Sequence, residues 1–425
     1  MAGTMLAIML VLFALSVPVA VAIGIAAIAG IEIYTRFPLI VAAQQIYVAL
    51  DRFPLAAIPF FILAGNLMET GGLSRRLIAF ARALVGGVQG GLAATTVLTC
   101  MIFAAISGSS VATTFAIGAI MIPALKRLGY PAGFAASLQA AAAELGVVIP
   151  PSIPMILYGV ATQTSIPELF IAGFGPGLLI AAVLSFLVLG WCRITGWGRA
   201  DGEGRSSIVR AAREAVFALL MPVIVLGGIY GGITTPTEAS VVAVAYALAV
   251  GLLVHRELRP ADLYGIFRRS AIASSVILFI IATAGLFSWL LNRQRVPDLM
   301  AEWLVATFAT PGFYLFGVNA FLFVVGMFVE TSASIIVLGP ILAPAAIRFG
   351  IDPVHFGIVM VVNLALGMVT PPFGVNLFAA AQVAETGVDR MMRYLPVFIF
   401  AVLCCLAIVT YVPALSLYLR DLAYR

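Results

Sequence analysis

"GVVIPPSIP" at 146–154 and "GMVTPP" at 367–372 decide the fold. Each places a glycine and two adjacent prolines inside an apolar segment. Proline has no N–H to donate to the carbonyl four residues back, so Pro150 and Pro151 release the carbonyls of Gly146 and Val147. Bare carbonyls in hydrocarbon are tolerated only where they are buried in protein or line a cavity.

The two stretches are copies. Pro371 follows Pro150 by 221 positions, and the pairs Gly118/Gly339, Pro123/Pro344, Gly129/Gly350, Gly146/Gly367 and Pro151/Pro372 keep that offset without a gap. Extending the register matches 55–192 with 276–413 and leaves a leader (1–50) and a pair of helices at about 215–254 between the copies.

Only 23 Lys or Arg and 18 Asp or Glu occur in 425 residues, 63% of the chain is hydrophobic, and the mean hydropathy is +1.15. Apolar segments of roughly 20 residues follow one another, long enough to cross a bilayer. The composition predicts an all-α polytopic membrane protein. The net charge of +5 resides in short Arg clusters between spans, which argues for membrane orientation and against nucleic acid. The connections 193–213 (Arg193, Arg199, Arg205, Arg210, Arg213) and 255–269 (Arg256, Arg259, Arg268, Arg269) are expected to be cytoplasmic, with spans 216–232 and 236–254 between them. The segment 5–30 reads as one retained helix, because it is long and lacks a basic leader. Cys100, Cys192, Cys404 and Cys405 lie in apolar segments, and with His255 and His355 as the only histidines there is no metal-ligand spacing.

The surface stretch 72–86, "GLSRRLIAFARALVG", is basic, whereas its counterpart "QRVPDLMAEWLVAT" (294–307) carries Asp298 and Glu302. That difference predicts that the copies are inverted in the membrane. Inverted copies interrupted by Gly and Pro point to a secondary transporter with its site near the midplane.

In the first copy "FAAISGSSVATTFAIG" (103–118) puts hydroxyls between two apolar arms, and in the second the matching tip is "VETSAS" (329–334). Both read as re-entrant hairpins whose tips stop inside the membrane. Hydroxyls and freed carbonyls are hard, neutral oxygens suited to replacing the hydration shell of a small cation, and Na⁺ fits. One predicted ion site uses Ser107, Ser109, Gly146, Ile149 and Pro151; the other uses Glu330, Thr331, Ser332, Gly367, Thr370 and Pro372. Substrate is expected at Ser110, Thr113, Glu144, Ser152, Ser334 and Asn376. Gln139, Asn363 and Gln382 are further amides in reach of a polar solute. Glu238 has the spacing of a capping box with Thr235 and Pro236. No catalytic triad, P-loop, dinucleotide fingerprint or zinc spacing is present, so the chain is not expected to be an enzyme or to carry a cofactor beyond Na⁺ as coupling ion.

These segments resemble the large membrane subunit of the tripartite ATP-independent periplasmic (TRAP) transporters, in the ion transporter superfamily. "AISGSSVAT", "IGAIMIPAL", "GVVIPPSIPMILYG", "GITTPTEAS", "GNLMETGGLSRRL" and "GIDPVHFGIVMVVNLALGMVTPPFGVNLF" are similar to that family's motifs, over residues 5–420. The resemblance implies an elevator-type Na⁺-coupled symporter of the bacterial inner membrane. It implies an organic acid delivered by a periplasmic substrate-binding protein, and a separate small four-helix membrane subunit. Substrate would lie between the tips, against the broken helices. Glu330 departs from the Asp more usual in the family at the second tip.

The expected division is 1–87 (scaffold and first arm), 88–168 (first hairpin and broken helix), 169–311 (scaffold and second arm), 312–389 (second hairpin and broken helix) and 390–425 (a last scaffold helix). Hairpins and broken helices are expected to move as one unit, and 170–190 and 395–419 to belong to the scaffold. Moving a carboxylate inward against the membrane potential costs about 2.3 kcal/mol per charge per 100 mV, and each Na⁺ returns the same amount. Two ion sites therefore make dianion uptake potential-neutral. A binding-protein-independent carrier of the same superfamily is the alternative reading.

Overall fold

The computed structural model describes residues 1–198 and 207–424, so Arg199 and Arg205 of the predicted cytoplasmic cluster lie outside the described residues. The described residues form helices and no strand. Among the described residues, seven helices are long and apolar enough to cross a membrane, or up to nine if each bent pair is one span. Large apolar side chains such as Phe186, Ile194, Val223 and Phe316 stand exposed on their outer faces, where lipid is their natural solvent.

Residues 5–30 are not one helix, contrary to the sequence expectation. Ala2–Ala14 and Val19–Tyr34 are separate, joined by a turn in which Ser16 has φ 59° and Pro18 caps the second helix. Pro18 cannot donate into a continuous ladder, and the two short helices pack on each other, with Met5 seated over Gly30. Ile40–Leu50 is also too short to span: 11 residues cover only about 17 Å.

The 221-residue offset governs element boundaries as well as motifs. Ser110–Arg127 and Thr331–Arg348 begin and end at matched positions, and both Pro-Pro bonds, 150–151 and 371–372, are cis. In the first half, Ala132–Ala143 and Leu145–Val148 lead to a break and then Ile153–Thr162, a bend of 43°. In the second, Pro353–Gly367 leads through the matching break to Val375–Ala384. The halves interlock: Ser110–Arg127 packs on Val375–Ala384, and Thr331–Arg348 packs on Ile153–Thr162.

Ile166–Thr195 and Leu395–Tyr411, expected in the scaffold, pack on each other and on the broken helices. The cause is local shape. A Cβ at Gly173 would overlap the Val148 carbonyl and one at Gly177 would meet the Ile149 side chain, so only glycine lets Ile166–Thr195 lie against the break. Farther along, Phe134 is ringed by Trp191, Trp197, Tyr394 and Phe398 at 5.3–5.8 Å.

The remaining helices pack chiefly on one another and touch this group where Leu73–Val85 meets Gly91–Ser107 and where Pro260–Arg293 meets Thr331–Arg348. Pro260–Arg293 packs on Val19–Tyr34 and Ile40–Leu50, Ala57–Thr70 on Pro236–Ala249, and Ile208–Tyr230 on the amphipathic arm Leu73–Val85. Thr235 and Glu238 form the expected capping box, with the Thr235 N–H 2.7 Å from the Glu238 carboxylate. Arg76 of the first arm pairs with Glu257 at 2.8 Å. The second arm, Val296–Thr307, brings Asp298 and Glu302 to Arg348 at 3.8 and 3.7 Å.

Candidate functional site

The first hairpin turns at Gly108, which has φ 60°, a conformation that favours glycine. Gly91–Ser107 ends there, and Ser109 caps the next helix by accepting from the Ala112 N–H at 3.4 Å. The tip rests on the break of the first broken helix. Ile153 N–H donates to the Gly108 carbonyl at 3.3 Å, and a Cβ on Gly108 would lie 2.7 Å from the Pro151 carbonyl. Ser107 and Thr113 hydroxyls are 3.0 Å apart, and Thr113 donates to the Ser109 carbonyl at 2.8 Å. A Cβ on Gly146 would sit 2.7 Å from both that carbonyl and the Thr113 hydroxyl. Ser107, Ser109, Gly146 and Thr113 therefore form one oxygen cluster, with Pro151 beside it. Thr113, expected among the substrate residues, also lends its hydroxyl to this group. The Ile149 side chain packs into Gly177, so the part expected of Ile149 falls to its backbone carbonyl.

The freed carbonyls are not all open. Ser152 donates to the Val147 carbonyl at 2.5 Å while capping Ile153–Thr162, so its hydroxyl is committed to the break itself. In the second half, Thr370 N–H donates to the Gly367 carbonyl at 2.9 Å and Asn376 N–H to the Met368 carbonyl at 3.0 Å. A carbonyl oxygen has two lone pairs, so each retains one acceptor site.

The second tip is built around a carboxylate. Glu330 caps Thr331–Arg348, accepting from the N–H groups of Ser332 and Ala333 at 2.9 and 3.2 Å and from the Ser332 hydroxyl at 2.8 Å. A negative group at a helix N-terminus is favourable. Ser334 donates to the Glu330 carbonyl at 3.1 Å. Thr370 is tied to its own helix through the Leu366 carbonyl at 2.9 Å, and Gly367 packs against the backbone of Gly326. Pro372 is exposed. The second set is thus more dispersed than the first.

Both tips meet at Met368. The Thr331 hydroxyl lies 2.9 Å from its sulfur and the Ser110 hydroxyl 3.8 Å from it. Beside them Thr114 reaches Asn376 at 3.5 Å, and the Asn376 amide nitrogen is buried without a partner. Gln139 donates to the Thr113 carbonyl at 3.3 Å, leaving its amide oxygen unpartnered.

Glu144 is also buried with an unpartnered oxygen, but helix geometry turns it away from the tips. At 100° per residue, Gln139 and Gly146 share the face that meets the first hairpin, while Glu144 points to the opposite side, where Cys405 of Leu395–Tyr411 is its electrostatic neighbour. Among substrate candidates the structure therefore gathers Ser110 and Asn376 near the meeting point and sets Glu144 apart. Sequence reasoning missed Met368 and gave Thr114 no role. The signal for Met368 was its mismatch with Val147, its partner at the 221 offset.

Residues 6–415 match the family model for the "Tripartite ATP-independent periplasmic transporter, DctM component". The chain belongs to the DctM family. It is 38% identical over 434 residues to the C4-dicarboxylate TRAP transporter large permease protein DctM of Rhodobacter capsulatus, covering 99% of this chain and 98% of that one. It is 42% identical over 379 residues to the protein of that name from Pseudomonas aeruginosa, covering 89% of each. It is 43% identical over 403 residues to the isethionate TRAP transporter permease protein DctMQ of Oleidesulfovibrio alaskensis, covering 95% of this chain but 64% of that longer protein. Among solved structures, the Alcanivorax borkumensis YdaH transporter superposes with a TM-score of 0.64 at 14% identity, over 89% of this chain and 87% of that one. That likeness speaks to the fold alone. DctM membership makes the chain a transporter permease and not an enzyme.

Proposed function

We propose that this DctM-family chain is the large permease subunit of a Na⁺-coupled TRAP transporter that imports an organic acid across the bacterial inner membrane. A periplasmic binding protein would deliver the acid, and a separate small membrane subunit would brace the scaffold. The observation that carries the reading is the convergence of two hairpin tips from matched halves on Met368, next to the buried Asn376 amide, whose nitrogen has no partner. Na⁺ prefers oxygen to a soft thioether, so the ions belong to the oxygen clusters flanking Met368. One cluster is Ser107, Ser109, Thr113, Gly146 and Pro151; the other is Glu330, Thr331 and Ser332 with the Gly367 carbonyl. Substrate lies between them, near Ser110, Thr114 and Asn376.

The packing supports an elevator in which the two halves are inverted copies. The moving body comprises the hairpins, the broken helices, Ile166–Thr195 and Leu395–Tyr411, and it slides against the body built on Pro260–Arg293. The test is uptake into proteoliposomes of labelled succinate, isethionate or ectoine, with the cognate binding protein and small subunit, under Na⁺ or K⁺. Na⁺-dependent uptake that needs the binding protein is expected. Uptake without that protein would favour a free-standing symporter, and uptake indifferent to Na⁺ would sink the coupling scheme.

A further inference from the structure

A cleft of about 280 Å³ separates the two bodies. One wall is a stripe of Pro260–Arg293, where Ile281, Gly285, Ser288 and Asn292 recur at helical spacing, continued by Gln45 within Ile40–Leu50 and by Arg52 two residues past its end. The other wall comes from Ile153–Thr162 and Thr331–Arg348. Asn292 stands 24 residues beyond Arg268 on one helix, about 36 Å, so the cleft opens on the face opposite the Arg-rich connection.

Its chemistry is one-sided. Arg52 is the single charged residue lining it, it is exposed, and among the described residues it has no acidic partner. Gln45, Gln163, Asn292 and Ser288 supply neutral polar groups, and the Trp289 indole supplies an apolar wall. A guanidinium among amides beside an aromatic face suits a small organic carboxylate, which it can bind in a two-pronged fashion. The floor leads inward. Ile336 is one helical turn from Ser332 and Leu157 one turn from Ile153, so the deepest lining residues lie about 6 Å along their helices from the second tip and the first break.

We propose that this cleft is an outer receiving site, where Arg52 takes the carboxylate of an organic acid before the acid reaches the hairpin tips. The inference rests on the transport reading above. It names a binding step at a place distinct from the tips, and a cation at Arg52 to attract the acid.

The test reads local charge rather than transport. Cys404 is the one exposed thiol among the described residues, so C404S supplies a quiet background. Ala161→Cys then places a thiol on the cleft wall, with unchanged size-exclusion elution as the folding control. In vesicles of neutral lipid, and with each rate divided by that reagent's rate on free cysteine, the anionic reagent MTSES should be favoured over the cationic MTSET at that thiol, and millimolar succinate or isethionate should slow both. R52Q should lower the MTSES-to-MTSET rate ratio about tenfold, while R52K keeps it. A ratio indifferent to R52Q, or protection by anionic phospholipid but by neither acid, would overturn the assignment. Na⁺-independent uptake with Arg52-dependent labelling would remove the coupling scheme and leave the cleft standing. Na⁺-coupled uptake with labelling indifferent to Arg52 would do the reverse.

Discussion

Four positions that match at the 221 offset are filled by opposite chemistries. In the first half they are Leu98, Phe134, Ala142 and Leu189; in the second they are Asn319, His355, Asn363 and Thr410. Phe134 sits in a cage of aromatic rings. His355 instead meets the Thr410 carbonyl at 3.2 Å, Asn319 donates to the Thr410 hydroxyl at 3.1 Å, and Asn363 donates to the Asn319 side chain at 2.6 Å. At these four positions one backbone plan is thus held by shape in one half and by directed hydrogen bonds in the other. Apolar packing accepts small slips, whereas a buried hydrogen-bond chain leaves an orphan when any link moves. The first arm of the second hairpin is therefore pinned to its broken helix by Asn363 and Asn319, whereas the first hairpin is tied to its own broken helix through a single side-chain amide, Gln139, which reaches the Thr113 carbonyl at 3.3 Å and the Cys100 sulfur at 3.5 Å.

The comparison breaks most sharply at the paired glycines. Gly367→Ala puts a methyl 2.4–2.8 Å from three backbone atoms of Gly326, while Gly146→Ala meets the Ser109 backbone carbonyl and the Thr113 hydroxyl at 2.7 Å, a looser clash in which only the hydroxyl can rotate aside. Overpacking of this kind costs about 1–3 kcal/mol, and Gly367→Ala should show the larger drop in thermal midpoint in detergent. An equal drop would mean that the halves are equally rigid there.

Next comes Met368→Val, which gives the second half the residue of the first. Losing the group that both tips touch should raise the Na⁺ concentration for half-maximal uptake about tenfold, a loss of about 1.4 kcal/mol. Met368→Leu, close in volume, separates packing from sulfur contact. An unaltered Na⁺ dependence in the Val variant would remove Met368 from the site.

The polar chain is tested by a double-mutant cycle. Asn363→Ala alone should destabilise by about 1 kcal/mol, because Asn319 loses its partner. Asn319→Leu with Asn363→Ala, which copies the first half, should recover most of that loss. Additive effects in mixed-micelle unfolding would show the bond to be incidental.

The smallest effect belongs to Arg420, which reaches Asp352 at 2.6 Å and ties the last helix, Ala414–Ala423, to the start of Pro353–Gly367. Burial raises the Asp352 carboxyl, but hydrogen bonds from Arg420 and from the His355 and Val354 N–H groups outweigh it and hold the group below its ordinary value. A depressed carboxyl stabilises above its unfolded pKa of about 3.9, and that contribution fades as pH falls through the folded value. Arg420→Met should cost under about 1 kcal/mol near neutral pH, and the gap to the parent protein should narrow below about pH 4 in pH-resolved melts. A gap that widens in acid would contradict the sign.

Much of this was legible in the chain. Two Pro-Pro pairs in one register, with hydroxyl-rich stretches upstream of each, located both breaks and both tips, because missing donors and polar residues at depth are strong local signals. What stayed hidden depends on tertiary shape. The apolar run 5–30 reads as one helix from composition, and only the turn at Ser16 and Pro18 with the seat that Gly30 offers Met5 shows that the chain doubles back. Ile166–Thr195 and Leu395–Tyr411 are uniformly apolar, so periodicity could not reveal that Gly173, Gly177 and a ring of aromatics bind them to the broken helices. Met368 looks like filler until both tips are seen to touch it.

The crossed packing of the halves also bears on biogenesis. The face of Ser110–Arg127 finds its partner in Val375–Ala384, so some 250 further residues must leave the ribosome before that face is covered. Until then the early hairpin needs shelter from the insertion machinery or from lipid, and a nonsense change anywhere before residue 375 strands it, making the nascent chain a target for membrane proteases.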